Sequence, residues 1–379
     1  LGKFLGDTRK VCGVIRGAFS PRRKQYEKLW KKPIEVFSHR GETMPTSKIN
    51  DVALAAGVSI GTVSKALNGT GRVSAETKAR VLKEAARLGF TSRGRSGADR
   101  ATVDLAYSVG VLTSDSFGRF TIPIMLGAED TLGPGRVAVL MCDSRGDALR
   151  ERFYLDSLMR RRVDGIIVTG RSNDPRPPIG DTGSIPVVYA YAPSTDPDDC
   201  SIIPDNHKVG SLAIDHLLGS GRRRLVQIAG SPTQAATKDR NAGATDALAK
   251  RGLDWAVEPQ FGEWSERWGR EAAMRLVRDG IEFDGAFCGS DQIARGFETG
   301  LRESGLEVPT AVGVVGTDNW DVMVEAARPP LTTIDLNQTE IGRLAATIII
   351  DAIDGIPVPR GKTLVEPELV MRESSASKL

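Results

Sequence analysis

The 379-residue sequence predicts an all-α head followed by a larger α/β body of two lobes built on parallel sheets. Three observations lead there. Residues 1–100 carry 21 Lys and Arg against 8 Asp and Glu, a net of +13, while the rest of the chain is at −10. Between 46 and 90, apolar residues recur at helical spacing between capping residues and glycine turns. Beyond 102, short apolar strands alternate with helical stretches, the rhythm of parallel sheets covered by helices on both faces.

Composition excludes several classes. Apolar residues make up 40% and charged residues 26%, as in a soluble globular protein. No run of about 18 apolar residues occurs, so no membrane span is expected. The stretch from Leu344 through Thr347–Ile350 ends at Asp351. No segment has the order of a secretory signal, and the expected compartment is the cytoplasm. Cys12, Cys142, Cys200 and Cys288 lie far apart, form no CxxC pair and have no histidine at ligand spacing. No metal or cofactor is expected. His39, His207 and His216 form no triad with a serine elbow, and GxGxxG, P-loop and HExxH runs are missing, so no enzyme is expected.

Taken in order, residues 1–45 lack sustained periodicity and carry Pro21-Arg22-Arg23-Lys24 and Lys31-Lys32-Pro33. Met44-Pro45 directly precedes the first patterned segment. Translation is therefore expected to start at Met44, with a basic arm that adds nonspecific DNA affinity as the rival reading. From Thr46, Ile49, Val52, Ala53 and Ala56 mark a first helix, interrupted at Gly57-Val58-Ser59. Ser59 caps a second, in which Val63, Ala66 and Leu67 face inward. Asn68-Gly69-Thr70-Gly71 is a turn, and Ser74 caps a third helix with Val81, Leu82, Ala85 and Leu88 as its apolar stripe. Helix, glycine turn and a short capped helix rich in Ser, Thr and Lys form a helix-turn-helix pattern, in which the first helix braces the second against a major groove. Ser59, Thr62, Ser64 and Lys65 are placed to face DNA. A three-helix bundle for protein contacts is the alternative. Residues 91–102 read as a basic, glycine-containing linker.

In the body, strands are expected at Leu105–Leu112, Arg136–Met141, Gly165–Thr169, Val187–Tyr191, Leu225–Ala229, Gly285–Cys288 and Ala311–Val315. Helices are expected at Ala148–Arg161, Val209–Gly219, Asn241–Arg251 and Arg267–Arg278. That length exceeds what one sheet usually supports, which favours two lobes.

The run Ile49-Asn50-Asp51-Val52-Ala53 through Ala56-Gly57-Val58-Ser59, Thr62-Val63-Ser64 and Leu67-Asn68, followed by Arg72-Val73-Ser74, closely resembles the N-terminal signature of the LacI/GalR family of bacterial transcription regulators. The resemblance implies phosphate contacts from Ser59, Thr62, Ser64 and Asn68 and base reading by Lys65, with Arg72 added to the DNA-facing set. Ile60 and Gly61 hold the two positions that choose the operator, and Gly61 offers no side chain for it. Lys65 stands where the family usually has Arg and lacks the bidentate fork. In the linker, the family's Pro, Asn, Ala and Leu landmarks are replaced by Ser92, Arg93, Ser96 and Asp99. Asp99 cannot act as an apolar minor-groove wedge, so no inserted hinge helix is expected; Arg93 and Arg95 are expected to contact phosphates or the minor groove.

The resemblance continues to about residue 373 through Val163-Asp164-Gly165-Ile166, Asp205-Asn206, Ser290-Asp291-Gln292, Gly316-Thr317-Asp318-Asn319 and Arg328-Pro329-Pro330. It implies a periplasmic-binding-protein-like body, 103–373, with one lobe over 103–204 plus 337–362 and the other over 206–334 plus 364–373. Crossings are expected near Pro204–Asn206, Thr333–Asn337 and Gly361–Leu364. A small ligand, by this resemblance a sugar, sits between such lobes. Arg240, in the loop after Gln227–Gly230, and Asp318 are expected to clamp its hydroxyls from opposite sides, with Trp264 stacked on it. Ser290 stands where the family often has Asn. Phe117 and Phe120, in the loop after the first strand, are expected to close the other side, with Asp115 adding a hydroxyl contact and Tyr191 a further candidate. For Trp264, Phe117, Phe120 and Tyr191 the competing reading is core packing. The expected partners are double-stranded operator DNA, a small-molecule effector and a second copy of the chain, with no membrane. A sugar-binding protein of a transport system is the alternative function.

Overall fold

The computed structural model describes residues 49–68, 73–88, 107–132 and 137–376, which fall into two compact units dividing at Val103. The head has three helices: α1 (Ile49–Ala56), α2 (Ile60–Asn68) and α3 (Ala75–Arg87). Gly57 ends α1 at φ +64°, a conformation that costs a residue without a Cβ little, and the Val58 amide donates back to the Ala53 carbonyl. The Ser59 hydroxyl accepts from the Thr62 amide at 3.2 Å and the Ser74 hydroxyl from the Thr77 amide at 3.2 Å, so both helices start on side-chain caps. Val52, Val63, Ala66, Val81 and Ala85 form the core, with Leu67 and Leu88 packed against it. The expected stripe on α3 needs one correction. Leu82 is exposed, because it lies one residue, about 100°, around the helix from Val81.

The body holds β1 (Tyr107–Thr113), α4 (Thr121–Leu132), β2 (Val137–Asp143), α5 (Ala148–Arg160), β3 (Gly165–Val168), β4 (Val187–Ala190) and β5 (Cys200–Pro204). It continues with α6 (Asn206–Gly219), β6 (Leu225–Ala229), α7 (Ala235–Ala249), β7 (Gln260–Phe261), α8 (Glu266–Arg278), β8 (Gly285–Cys288) and α9 (Asp291–Glu303). The last elements are β9 (Gly313–Thr317), α10 (Asp321–Val324), β10 (Thr332–Asp335), α11 (Gln338–Ile353), β11 (Gly361–Val365) and β12 (Glu368–Val370). They build two six-stranded sheets, ordered β11-β5-β4-β3-β1-β2 and β12-β10-β9-β8-β6-β7. Every pairing is parallel except β10 with β12. The chain passes from the first sheet to the second after Pro204, returns after Asp335, and crosses again between β11 and β12. The third crossing therefore lies beyond Val365 and not at Gly361–Leu364: all five residues of β11 pair with Cys200–Pro204, which keeps them in the first lobe.

The helices covering these sheets pack against one another in pairs through reciprocal glycine contacts. A Cβ on Gly210 of α6 would overlap the Arg240 carbonyl, and one on Gly243 of α7 would overlap the His207 carbonyl. The same pairing joins α4 to α11 through Gly127 and Gly342, and α8 to α9 through Gly269 and Gly296. Each crossing thus brings backbone against backbone. Among the described residues no helix is long and apolar enough to cross a membrane.

Glu298 of α9 is buried, and neither carboxylate oxygen finds a hydrogen-bond partner among the described residues. Burial, against a smaller opposing effect from Arg302, pushes its carboxyl up to about 8. Between pH 4.5 and 8 the folded chain therefore holds a proton that the unfolded chain has released, and stability falls as pH rises through that window. Glu298→Gln removes this loss. Urea denaturation should show little difference from the parent below about pH 4.5 and a gain on the order of 3 kcal/mol at pH 8. A gain that is equal at both ends would contradict the assignment.

Candidate effector cleft and nucleic-acid interface

On the head, Val63 and Ala66 of α2 are buried, which turns Ile60, Gly61 and Lys65 outward, with Thr62 and Ser64 half-buried beside them. The Ser59 and Thr62 hydroxyls also hydrogen-bond each other at 2.9 Å, so both sit at the helix start. The outward face of α2 carries, among the described residues, one cation, small hydroxyls and no carboxylate, a surface suited to phosphate and base edges. The Asn68 side chain and all of Arg72, Arg93 and Arg95 lie outside the described residues, as does the whole linker with its hinge.

In the body, a cavity of about 140 Å³ opens between the lobes. Nearly all its lining follows the carboxyl end of a parallel strand, where open α/β sheets bind ligands. From the first lobe come Arg119 and Phe120 after β1, Arg171, Ser172, Asn173 and Asp174 after β3, and Tyr191 after β4. From the second come Gln234, Trp264, Ser290 and Asp318 after β6, β7, β8 and β9, and Ala236 and Arg240 of α7.

Arg240 is not on a loop. The helix expected from Asn241 begins six residues earlier, at Ala235, so Arg240 projects from its second turn. The sequence Ala-Ala-Thr-Lys-Asp-Arg has no strong apolar periodicity to announce that turn. An acceptor from the other lobe holds it: Asp174 Oδ1 accepts from the Ala235 amide at 2.8 Å, where the side chain of the N-terminal residue Gln234 does not cap the helix. Arg240 is 3% exposed; its Nε donates to Asn206 Oδ1 at 2.8 Å and its Nη1 to the Gly289 carbonyl at 2.7 Å. Its Nη2 lies 3.8 Å from Asp318 Oδ1. Asp318 is buried and sits at φ +105°, a strained conformation for a side-chain-bearing residue, anchored by its amide on the Ile334 carbonyl. Burial raises its carboxyl above the ordinary range, with Arg119 and Arg240 pulling it back. The neighbouring Asp291 carboxyl is raised as well, by burial and then by Asp318, although it accepts from the Thr333 hydroxyl at 2.6 Å and the Trp320 amide at 2.8 Å.

Trp264 lies against Gly230, where a Cβ would overlap its ring, and its Nε1 donates to Gln234 Oε1. Tyr191 is 3% exposed and stacks on Phe120 with ring centroids 4.3 Å apart. Burial and the Asp318 charge push its phenol above the ordinary range. Ser290 caps α9, its hydroxyl accepting from the Ile293 amide at 3.3 Å. Two expected residues do not line the cavity. Asp115 accepts from the Phe120 and Thr121 amides at 2.8 and 3.1 Å, which spends its carboxylate on the start of α4. Phe117 is 93% exposed, at the tip of the turn that Gly118 makes at φ +70°.

Sequence reasoning missed Arg119, although it stands between two residues that were singled out. It crosses the cleft to pair with Asp318, and its Nη1 donates to Gln292 Oε1 at 3.1 Å. Its guanidinium lies 5.0 Å from the Phe120 ring centroid and 4.8 Å from that of Trp320. Asn173 and Asp174 were missed too. Their position after β3, at the end of a parallel strand, was the available signal. Asn173 Nδ2 donates to the Tyr191 carbonyl at 2.8 Å, and Asn206 reaches Asn173 from the second lobe at 3.4 Å.

Comparison with known proteins accords with both surfaces. Residues 48–92 match the family described as bacterial regulatory proteins, lacI family, and residues 214–375 match the periplasmic binding protein-like domain. The HTH-type transcriptional repressor PurR of Pasteurella multocida (strain Pm70) is 30% identical over 342 residues, covering 87% of this chain and 99% of that protein. The HTH-type transcriptional repressor CytR of Escherichia coli (strain K12) is also 30% identical over 342 residues, covering 88% and 97%. Among solved structures, the Lac repressor dimer bound to operator and the anti-inducer ONPF aligns with a TM-score of 0.66 at 25% identity, covering 87% of this chain and 99% of that one. The transcriptional regulator CelR in complex with cellobiose aligns at 0.59 and 27% identity, covering 86% and 99%. These relatives are transcription regulators and not enzymes. With a DNA-reading head and a two-lobed binding body in one chain, the protein belongs to the LacI family of bacterial regulatory proteins, as a DNA-binding transcription regulator.

Proposed function

We propose that the protein is a dimeric repressor whose hold on a pseudo-palindromic operator is set by a sugar or related hydroxylated metabolite clamped between Arg240 and Asp318. The observation that carries this is the pairing of two buried, opposite charges 3.8 Å apart in a cavity walled by Trp264 and Tyr191. Such a pair accepts and donates to vicinal hydroxyls while a ring covers the apolar face of a polyol. The complex of CelR with cellobiose and the operator-bound Lac repressor dimer support the two halves of the reading. The transport alternative is dropped, since the head matches DNA-reading regulators and the full-length relatives are repressors.

A second copy is supported by the edge of the first lobe. The first sheet ends on β2, with α4 and α5 packed beside it, and Ile122, Leu126, Met141, Leu149 and Phe153 of these elements are exposed. An apolar edge of this kind can be covered by its own symmetry mate, which would bring two heads to one site. Population shift then follows: a ligand that prefers one lobe arrangement changes head spacing and so operator affinity.

The test is a gel shift on operator selected from random DNA, with and without ligands found by a thermal-shift screen of sugars. Binding that no ligand alters would count against effector control. On the head, Lys65→Ala is expected to cost about 1–3 kcal/mol of operator affinity and to relax discrimination at one base position. Uniform weakening across all operator variants, with a shallower salt dependence, would show a phosphate contact instead.

A further inference from the structure

Arg119 occupies the oxygen of Asp318 that a ligand hydroxyl would need. It comes from the first lobe and pairs with Asp318 Oδ2 of the second, while Arg240 faces Oδ1. A ligand that engages Asp318 through both oxygens therefore competes with the Arg119 guanidinium for Oδ2 and weakens that pairing. The guanidinium has little water to turn to. Its side chain is 13% exposed, it lies between the rings of Phe120 and Trp320, and its Nε already lacks a hydrogen-bond partner. A neutral hydroxyl leaves that cation less compensated, which is costly in a desolvated site. An anionic group restores the lost pairing.

A second cation points the same way. Arg171, after β3, lines the same cavity and makes no hydrogen bond or ion pair among the described residues. The lining carries three arginines, Arg119, Arg171 and Arg240, against two carboxylates. One of those, Asp174, is already held by the Ala235 amide at the start of α7, where the helix dipole favours negative charge. Once a ligand takes Asp318, positive charge is left over on the first-lobe side, and it lies opposite the hydroxyl-binding pair.

We infer that the effector is an acidic sugar: a hydroxylated ring or chain bearing a carboxylate or phosphate, with its hydroxyls on Arg240 and Asp318 and its anionic group on Arg119 and Arg171. This deepens the effector reading above and rests on it. Arg119 then has two partners, Asp318 in the unliganded cleft and the ligand's anion in the filled one, and the second replaces the first.

The experiment is calorimetric titration of the full chain with glucose, galactose and mannose, each beside its uronic acid and its 6-phosphate. An acid is expected to bind at least about tenfold tighter than its neutral parent. The uronic acid and phosphate arms tell which anion the site takes. The preference should shrink with added salt, as a charge pair does, and it should fall severalfold in Arg171→Gln and in Arg119→Gln. Because Arg171 is exposed, the first variant remains informative if the second fails to fold. A neutral sugar that binds as tightly as its acid overturns the inference, as does an acid preference that survives both substitutions. Failure of every acid to bind at millimolar concentration also overturns it. An operator footprint from the same preparation shows whether the regulator reading stands independently.

Discussion

Gly243→Val is expected to prevent the second lobe from assembling. Gly243 of α7 rests on the His207 carbonyl of α6, and Gly210 of α6 rests on the Arg240 carbonyl of α7, so the helices meet backbone to backbone. A side chain at 243 overlaps an atom that cannot rotate away, and the helices must separate along their crossing. Behind them, Leu217, Leu225, Ala244, Leu248, Phe287 and Val315 share one buried cluster, which separation would expose. A single added methylene in a packed core costs roughly 1–3 kcal/mol; three carbons against backbone place the expected loss at about 4–5 kcal/mol or more. Soluble yield and urea denaturation of the variant check this, with Gly243→Ala expected to fall between the parent and Val. A Val variant that unfolds at the parent's midpoint would show that α6 and α7 can slide apart freely. The same substitution tests the site, because Arg240 is one turn away and its carbonyl lies on the same crossing.

How much of this was legible depended on whether a residue's partner was near it in the chain. The head was, because caps, glycine turn and apolar spacing are local: Ser59, Gly57 and Ser74 do in the structure what their types suggest. Central strands such as β3 and β8 were legible as unbroken apolar runs, and β6 as one broken only by Gln227, the mark of strands buried on both faces. The strands β5, β7, β10, β11 and β12 were not. Cys200–Pro204 ends in proline and is held between β4 and the distant β11, and the largely exposed Gly361–Val365 owes its strand state to β5, far back along the chain. The helix start at Ala235 escaped notice for the same reason, since its acceptor, Asp174, comes from the other lobe. In the cleft, Asp318, Ser290 and Trp264 could be placed from the motifs around them. Asp115 was expected in the cleft and Arg119, four residues on, was passed over, whereas the carboxylate serves its own loop and the cation crosses the cleft. Nothing in the loop's composition distinguishes them; only the position of Asp318 does.

Arg240→Ala is expected to abolish the response to effector. The guanidinium meets three groups at once: Asn206 Oδ1 at the first lobe crossing, the Gly289 carbonyl after β8, and Asp318 after β9. Removing it leaves two buried acceptors without a donor and Asp318 with Arg119 alone on its charged side, so Asp318 is drawn further into the pair that excludes ligand. Loss of a charge-assisted, two-point contact in a buried site corresponds to about 3 kcal/mol, or roughly a hundredfold in effector affinity. Arg240→Lys should recover only a minor part, because an ammonium cannot span Asn206, Gly289 and a ligand hydroxyl from one rigid plane. Arg251→Ala, which removes a solvent-exposed pair with Asp215 near the end of the same helix, serves as the control and should bind effector as the parent does. Titration of each variant with effector, read by calorimetry and by operator gel shift, checks the order. If the Arg240→Ala variant were released or recruited at the parent's effector concentration, Arg240 would be removed from the ligand's path and left as a strut within the second lobe.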